Sequence, residues 1–373
     1  MNILVTGSHG FIATNLIQFL SEKQDIQILQ YHRKSTEEAL TRDVLAADWI
    51  IHLAGANRPL HAQDFIDSNI TLTEKICHIL QTHQKKTPIL LSSSIQVERK
   101  EMTEYSQSKL NAEEVVMQLH QENHNPIYIY RLANVFGKWS RPNYNSVVAT
   151  FCHHVIHDLP VNIHDANAEI RLIYIDDVIN AFWHLIQGNN TYQHTHFYIE
   201  PEYKITVGDL YKLITAFKHS RHTLITDEVG VGLKRALYAT YLSFLPPEKF
   251  TYTIPQYRDA RGVFVEMLKT PSAGQFSYFS AQPGITRGGH YHHSKTEKFL
   301  VIRGKALFKF KHVVTGESYQ LETDGEHPTI VETVPGWAHD ITNIGDDEMF
   351  VMLWANELFD REKPDTYAMP TTP

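Results

Sequence analysis

Asn2-Ile3-Leu4-Val5-Thr6-Gly7-Ser8-His9-Gly10-Phe11-Ile12-Ala13 is the stretch on which the reading of the N-terminal part turns. An apolar run ends at Thr6, glycines follow at 7 and 10, and Ile12–Leu20 then carries helical apolar spacing. A strand that turns through Gly7-x-x-Gly10-x-x-Ala13 into a helix is the context in which this motif holds a dinucleotide. Gly7 permits the tight turn, Gly10 lets the backbone approach a pyrophosphate, and the small Ala13 lets helix and strand pack closely. The first N–H groups of the helix and its positive dipole end face the phosphates. Gly7, Gly10, Phe11 and Ile12 are therefore candidate cofactor contacts. A glycine-rich turn alone is weak, because many strand–helix turns use glycine structurally.

The surrounding pattern strengthens it. Ile26–Tyr31, Trp49–Leu53, Ile89–Ser92 and Ile127–Arg131 read as short buried strands. Amphipathic stretches at Glu37–Ala46, Thr71–Thr82 and Ser106–His120 lie between them, and Thr206–Phe217 is a further helix. That alternation predicts an α/β, Rossmann-like, doubly wound parallel sheet covered on both faces. After about Phe250 the texture changes to short β-rich runs: Val263–Leu268, Gln275–Ser280, Lys298–Ile302, Ala306–His312, Ser318–Leu321, Thr329–Val334 and Met349–Trp354. Their spacing and turns predict an all-β barrel or sandwich. Leu242–Pro247, with two prolines, marks the expected boundary between domains 1–247 and 248–373.

Composition limits the function. A chain of 373 residues exceeds one ordinary core. The net charge of −8 argues against nucleic acid as partner. No apolar run reaches the length of a membrane span, and the chain opens directly into a strand with no secretory leader. Cys77 and Cys152 are too few for a disulfide framework. These features predict a cytoplasmic protein with no nucleic-acid or membrane partner. Most of the 23 histidines are scattered and read as surface; only a clustered set carries weight.

Tyr105-x3-Lys109 begins a predicted helix, so both side chains share a face. A positive Lys109 near the phenol would favour phenolate and lower its pKa. Tyr105 would then give a proton to a carbonyl oxygen as hydride arrives, and Ser94, at the end of the preceding strand, would hold that oxygen. The second strand ends in Tyr31-His32-Arg33-Lys34, with no acidic residue for ribose hydroxyls. Arg33 and Lys34 suit a 2′-phosphate and so NADPH; the alternative is a basic loop facing solvent.

This combination resembles the extended short-chain dehydrogenase/reductase family of sugar-nucleotide epimerases, dehydratases and reductases. Leu53-Ala54-Gly55 resembles its cofactor-lining strand end, and Arg131-x2-Asn134-x2-Gly137 the segment after its catalytic helix. Arg171-x4-Asp176-Asp177-Val178 resembles its substrate motif. The resemblance implies cofactor contacts at Leu53, Ala54, Gly55 and Lys109, and substrate contacts at Asn134 and at Arg171, the latter on a nucleotide diphosphate. The alternative for Arg171 is a surface ion pair with a neighbouring aspartate. The segment between Arg33 and Trp49 is too short for the family's complete βα unit, which implies a more open adenine pocket.

In the C-terminal part, Gly284-x5-His290-x-His292-x4-Glu297-x6-Gly304 resembles the first cupin motif, and Pro335-Gly336-x2-His339-x3-Asn343 the second. His290 and His292 share a strand face, with Tyr291 and His293 on the other. His290, His292, Glu297 and His339 form a ligand set that suits zinc, manganese, iron or nickel, with one zinc per chain expected. Arg287-Gly288-Gly289-His290 also resembles cupin-class deoxysugar 3,5-epimerases, in which a histidine is the base, so His290 is ligand or base.

Taken together, the chain resembles fused UDP-4-keto-sugar reductases of capsular polysaccharide synthesis. The likeness includes Pro142-Asn143-Tyr144-Asn145-Ser146 and Asn356-Glu357-x-Phe359-Asp360-x5-Asp365-Thr366-Tyr367. It implies a homodimer acting on a UDP-4-keto-deoxysugar, with Asn145 at the substrate. The cupin domain would invert C3 of UDP-2-acetamido-2,6-dideoxy-L-arabino-hexos-4-ulose. The first domain would then reduce C4 with NADPH to UDP-N-acetyl-L-talosamine. The alternatives are a reductase whose cupin only dimerises and a non-catalytic nucleotide sensor.

Overall fold

Apolar runs of four to six residues separated by amphipathic helices assemble as the alternation requires. A computed structural model describes residues 1–57, 65–188, 195–255, 257–259, 262–264, 267–270, 274–357 and 362–371. The chain divides into two compact units, Met1–Ser146 with Glu169–Ile205, and Val147–Ala168 with Thr206–Pro373.

The first unit is built on β1 (Asn2–Thr6), β2 (Gln27–Tyr31), β3 (Trp49–His52), β4 (Ile89–Ser94), β5 (Ile127–Leu132), β6 (Asn134–Phe136), β7 (Glu169–Tyr174), β8 (His196–Phe197) and β9 (Tyr203–Thr206). Six of them form one sheet in the order β2-β1-β3-β4-β5-β8, and β6-β7-β9 form a small second sheet. Every pairing in the large sheet is parallel. Its helices are α1 (Phe11–Ser21), α2 (Glu37–Ala46), α3 (Leu72–Thr82) and α4 (Glu104–Asn123); after α5 (Val147–Ile156), which lies in the second unit, comes α6 (Ile175–Ile186). Leu4, Ile50, Leu91 and Ile129 face α2, α3 and α4 and pack on Val44, Ile76, Leu80 and Val116. Tyr130, one residue on and so on the opposite face, meets Phe182 of α6 edge-on at 5.0 Å. Burial on both faces explains why these strands read as continuous apolar runs.

The short segment after Arg33 has a structural consequence. It holds α2 alone between β2 and β3, and β2 is left at the edge of the sheet. Helix boundaries also moved. α4 begins earlier than apolar spacing predicts because Thr103 and Ser106 form a reciprocal capping box, with Ser106 N donating to Thr103 Oγ1 at 3.2 Å and Thr103 N to Ser106 Oγ at 2.7 Å. That cap puts Tyr105 in the first turn.

The second unit contains α5, α7 (Val207–Thr223), α8 (Gly232–Ser243), and the strands β10 (Thr251–Thr253), β11 (Tyr257–Asp259), β12 (Gly262–Phe264), β13 (Gln275–Ala281), β14 (Thr286–Tyr291), β15 (Glu297–Arg303), β16 (Lys305–His312), β17 (Ser318–Asp324), β18 (Thr329–Glu332), β19 (Trp337–Asn343), β20 (Met349–Ala355) and β21 (Tyr367–Ala368). Two five-stranded antiparallel sheets result, β10-β18-β15-β20-β13 and β17-β16-β19-β14-β21. Phe299 of one meets Phe308 of the other edge-on at 5.8 Å. Of the run expected at Val263–Leu268, residues 265–266 lie outside the described residues, as do Phe359 and Asp360 of the C-terminal motif. By contact, α5, α7 and α8 group with the sheets, whereas the boundary expected at 247 follows sequence texture. Arg221 of α7 shows why: its guanidinium lies 2.8 Å from Glu332 of β18, which also pairs with the buried Lys298 of β15.

Candidate active site and metal centre

A cavity of about 520 Å³ opens in the first unit at the carboxyl ends of β1, β3 and β4. Gly7, Gly10, Phe11, Ile12, Leu53, Gly55, Ser94, Tyr105, Lys109, Asn134 and Asn145 all line it. Gly7 has φ +65°, and a Cβ there would lie 2.7 Å from the Cα of Ala54. Ala54 therefore stands directly behind the glycine turn rather than in the cavity wall. Gly10 N donates to Gly7 O and Thr14 N to Gly10 O, both at 2.8 Å, which closes the turn and starts α1.

Lys109 is buried and donates from Nζ to Ser92 O at 3.0 Å. Burial lowers its pKa to about 8, against the raising effect of Glu113. Glu113 sits one turn further along α4, where it accepts from the Ser93 hydroxyl and, at 2.6 Å, from Arg131. The Tyr105 phenol behaves opposite to expectation. Burial raises its pKa, and only the hydrogen bond with Ser94 pulls it down. Desolvation of the phenolate outweighs any pull from Lys109, whose ammonium is fastened to Ser92 O. A phenol held protonated, with Ser94 beside it, can give a proton to an oxygen placed in this cavity.

Two supports of this site carry no sequence signature. Asn69, in a single π-type turn at Ile66–Thr71, accepts from Ala56 N at 2.9 Å and donates to Ser108 Oγ at 2.8 Å. It thereby ties the end of β3 to the helix of Lys109. A Cβ at Gly55 would lie 2.7 Å from Asn69 Oδ1 and 2.9 Å from Lys109 Nζ, so the cavity wall needs glycine there. Buried His52 bridges Thr6 Oγ1 at 2.6 Å and Thr73 Oγ1 at 2.9 Å, and burial drives its pKa to about 3.

Three candidates lie elsewhere or are otherwise engaged. Arg33 is exposed and outside the cavity wall, in a turn beyond β2 where His32 stacks on His9 at 4.4 Å. Arg171 does not line the cavity; its guanidinium lies 2.6 Å from Glu202. The partner is that glutamate rather than an adjacent aspartate, and Asp176 instead takes Lys138 at 2.8 Å. Asn134 lines the cavity, with its amide donating to Arg171 O at 2.8 Å. Arg99 and Arg141, which no motif singled out, do line the cavity, as does Trp139 with φ +67°.

In the second unit the four expected ligands converge. One ligand atom from each of His290, His292, Glu297 and His339 lies within 4.8 Å of the others. Gly288 and Gly289 have φ +104° and +76° and form a bulge in β14, after which His290 pairs across with His339 of β19. Glu297 Oε2 lies 3.2 Å from His292 Nε2 and 3.5 Å from His339 Nε2. The second contact is too long for a hydrogen bond, which leaves His339 Nε2 buried and unsatisfied. Burial and the two neighbouring imidazoles lower His290 to about 3, and the histidines hold Glu297 well below the usual carboxylate range despite its burial. Three imidazoles and one carboxylate whose ligand atoms converge in this way are a donor set for a divalent transition metal. His292 Nδ1 lies 2.6 Å from Asp365 O, and the Asp365 carboxylate accepts from the backbone N–H groups of His293, Ser294 and Lys295 at 2.9, 2.9 and 2.7 Å. That clasp fixes the ring and turns Nε2 inward.

The profile of the NAD dependent epimerase/dehydratase family matches residues 3–199, and that of the polysaccharide biosynthesis C-terminal domain matches residues 257–367. The chain is 52% identical over 368 residues to a UDP-2-acetamido-2,6-beta-L-arabino-hexul-4-ose reductase from Pseudomonas aeruginosa, covering 99% of this chain and 98% of that protein. A solved structure of the capsular polysaccharide assembling protein CapF from Staphylococcus aureus is 39% identical, covers 99% of this chain and 100% of its own, and superposes with a TM-score of 0.69. UDP-glucuronic acid 4-epimerase from Bacillus cereus covers 58% of this chain and 84% of its own, with 19% identity and a TM-score of 0.53, a likeness of fold alone.

Proposed function

The chain belongs to the NAD dependent epimerase/dehydratase family and, within it, to the CapF-type UDP-4-keto-sugar reductases; on that premise we propose that it is a cytoplasmic, homodimeric enzyme that epimerises and then reduces one UDP-4-keto-deoxysugar. The substrate is UDP-2-acetamido-2,6-dideoxy-L-arabino-hexos-4-ulose and the product UDP-N-acetyl-L-talosamine, for capsular or O-antigen polysaccharide. Residues 1–247 carry the reductase and 248–373 a cupin barrel with one zinc.

The observation that carries this reading is Tyr105, Ser94 and Lys109 in the wall of one cavity with the Gly7–Gly10 turn. The cavity beside the Gly7–Gly10 turn fits a dinucleotide pyrophosphate, with Gly10, Phe11 and Ile12 at the helix end in its wall. NADPH bound there would supply the hydride that C4 needs. Ser94 and Tyr105 hold the 4-keto oxygen, and the Tyr105 proton passes to it as charge develops there. Lys109 stabilises the phenolate left behind. Exposed Arg33 is placed on the 2′-phosphate. In the cupin, His290, His292, Glu297 and His339 would hold the zinc, which would supply a Lewis acid suited to a keto oxygen; the unsatisfied His339 Nε2 supports that fit. A 4-keto group acidifies C3–H, so inversion comes first, and reduction removes the acidity and locks the result.

The test follows NADPH oxidation with the 4-keto substrate. Tyr105→Phe should lose about 10²–10⁴-fold in turnover with NADPH affinity kept. Near-normal turnover in that variant removes the assignment.

A further inference from the structure

Resting on the metal reading above, we propose that Asp365 and Arg235 are positioning residues of the metal centre: they hold the loop between His292 and Glu297 and so set how tightly the ion is kept. Residues 293–296 join two expected ligands, His292 just after β14 and Glu297 at the start of β15. All four are buried, although a connecting loop ordinarily runs over the surface. A buried loop has to find a partner for each backbone N–H. Here all five N–H groups from His293 to Glu297 are taken by side chains from far along the sequence. The Asp365 carboxylate accepts from His293, Ser294 and Lys295, Asn356 Oδ1 accepts from Thr296 at 2.9 Å, and Thr333 Oγ1 accepts from Glu297 at 2.9 Å. The shape of the loop, and with it the separation of the two ligands, is imposed from outside.

Asp365 has the largest share of this. Its backbone oxygen lies 2.6 Å from His292 Nδ1. A carbonyl oxygen only accepts, so Nδ1 carries the hydrogen and Nε2 is the nitrogen left for the centre. One residue thus orients the ring of one ligand and fixes the chain that leads to the next. It does so in left-handed backbone, with φ +36°, which a residue other than glycine keeps where its surroundings determine it.

Arg235 reaches the same loop from α8. Its guanidinium donates to Ser294 Oγ, and the Ser294 hydroxyl gives its own hydrogen to Asp365 Oδ2 at 3.1 Å. A hydroxyl has one hydrogen and a guanidinium only donates, so the chain runs one way, from arginine through serine to carboxylate. Arg235 Nε is braced in turn on Glu357 at 3.2 Å, beside Asn356. Asn356 Nδ2 donates to Val229 O at 3.3 Å, and a Cβ at Gly230 would lie 2.8 Å from Asn356 O. The approach to α8 and the end of β20 therefore close on the loop together. Arg235 and Asp365 both lie outside the two cupin-like motifs, and α8 precedes the boundary expected at 247.

Zinc affinity of the full-length chain, measured by competition with a chromophoric chelator, tests this beside thermal melts of the zinc-loaded and metal-free forms. Asp365→Asn puts an amide where three backbone donors need an acceptor, and Arg235→Met ends the link to Ser294. Each should weaken zinc by about 10–100-fold, the usual cost of losing a group that holds a ligand in place. The stabilisation that zinc gives, loaded against metal-free, should shrink with it. Arg235→Lys can still donate to Ser294 Oγ and should recover most of the affinity. Ser294→Ala should match Arg235→Met, with no further loss when the two are combined. A cooperative melt reports that each chain is folded; if Asp365→Asn does not fold, Ser294→Ala and its pairing with Arg235→Met decide. Folded variants that keep the parent's zinc affinity while both forms melt lower by the same amount overturn the proposal and leave these residues a role in stability alone. A folded parent chain that takes up no zinc overturns the metal reading itself, a result distinct from that one.

Discussion

Lys109 Nζ is fastened to the backbone carbonyl oxygen of Ser92 at 3.0 Å, two residues before Ser94 on the same strand. One buried ammonium therefore braces the strand end that presents the serine, and it lines the same cavity as Tyr105. Its charge is sensitive to pH in the mildly alkaline range, because burial has lowered its pKa from 10.5 to about 8.

The reduction rate should fall as pH rises through about 8, where the folded chain loses this proton. Stability should move the other way. An unfolded Lys109 keeps its proton to about 10.5, so between about 8 and 10.5 the unfolded chain binds more protons and this group's contribution to stability rises with pH. A pH–rate profile and denaturant melts at the same pH values separate loss of the ammonium from unfolding. A rate that stays flat from pH 7 to about 9.5 would show that the ammonium is dispensable.

Cofactor choice should rest on Arg33, which stands exposed beyond β2 where no carboxylate ends the strand. Arg33→Ala should raise the KM for NADPH by about tenfold while leaving that for NADH nearly unchanged, the loss of one charge-assisted contact to phosphate. Equal effects on both cofactors would remove the 2′-phosphate role and pass it to Lys34.

The imidazole–carboxylate set should bind close to one zinc per chain when purified without chelators. His339→Ala and Glu297→Ala should lose that metal, as elemental analysis would read directly, and both should melt at lower temperature because metal binding and folding are coupled. Chelator treatment of the parent chain should lower its melting temperature in the same direction. If His290→Ala keeps its metal yet stops inversion at C3, His290 is the base and not a ligand.

Residues near in sequence made much of this site legible. The glycine turn, the Tyr105–Lys109 spacing and the cupin-like histidines are local patterns, and the structure brings each group together. What could not be read depends on distant partners. Glu202 engages Arg171 from 31 positions away, and Asp365 clasps the loop after His292 from about 70 positions away. The direction of the Tyr105 shift follows from burial, which no spacing encodes. Asn69 sits in a π-type turn with no repeating signal, and Arg99 and Arg141 belong to no motif. The glycine pair at 288–289 was visible, yet only the paired strand shows that it sets His290 opposite His339.

Exchange at C3 separates an enzymatic cupin from one that only dimerises, and the structure decides which protein to use. A fragment starting near Phe250 would strip Arg221 from Glu332 and uncover Lys298, both nearly inaccessible to solvent. Removing one partner of a buried ion pair costs about 3–5 kcal/mol, so an inactive fragment would say nothing about chemistry. The full chain carrying Tyr105→Phe avoids this, since its reductase is silenced while every residue of the second unit is kept. Given the 4-keto substrate in D2O without NADPH, this variant should place deuterium at C3 at the parent rate, as read by proton NMR. Adding Glu297→Gln to it should suppress the exchange, with a thermal melt to show that the chain remains folded. Deuterium uptake that survives in a folded, metal-free Glu297→Gln chain would take inversion away from the metal, and uptake that survives in a folded His290→Ala chain as well would leave the C-terminal domain as a dimerisation module.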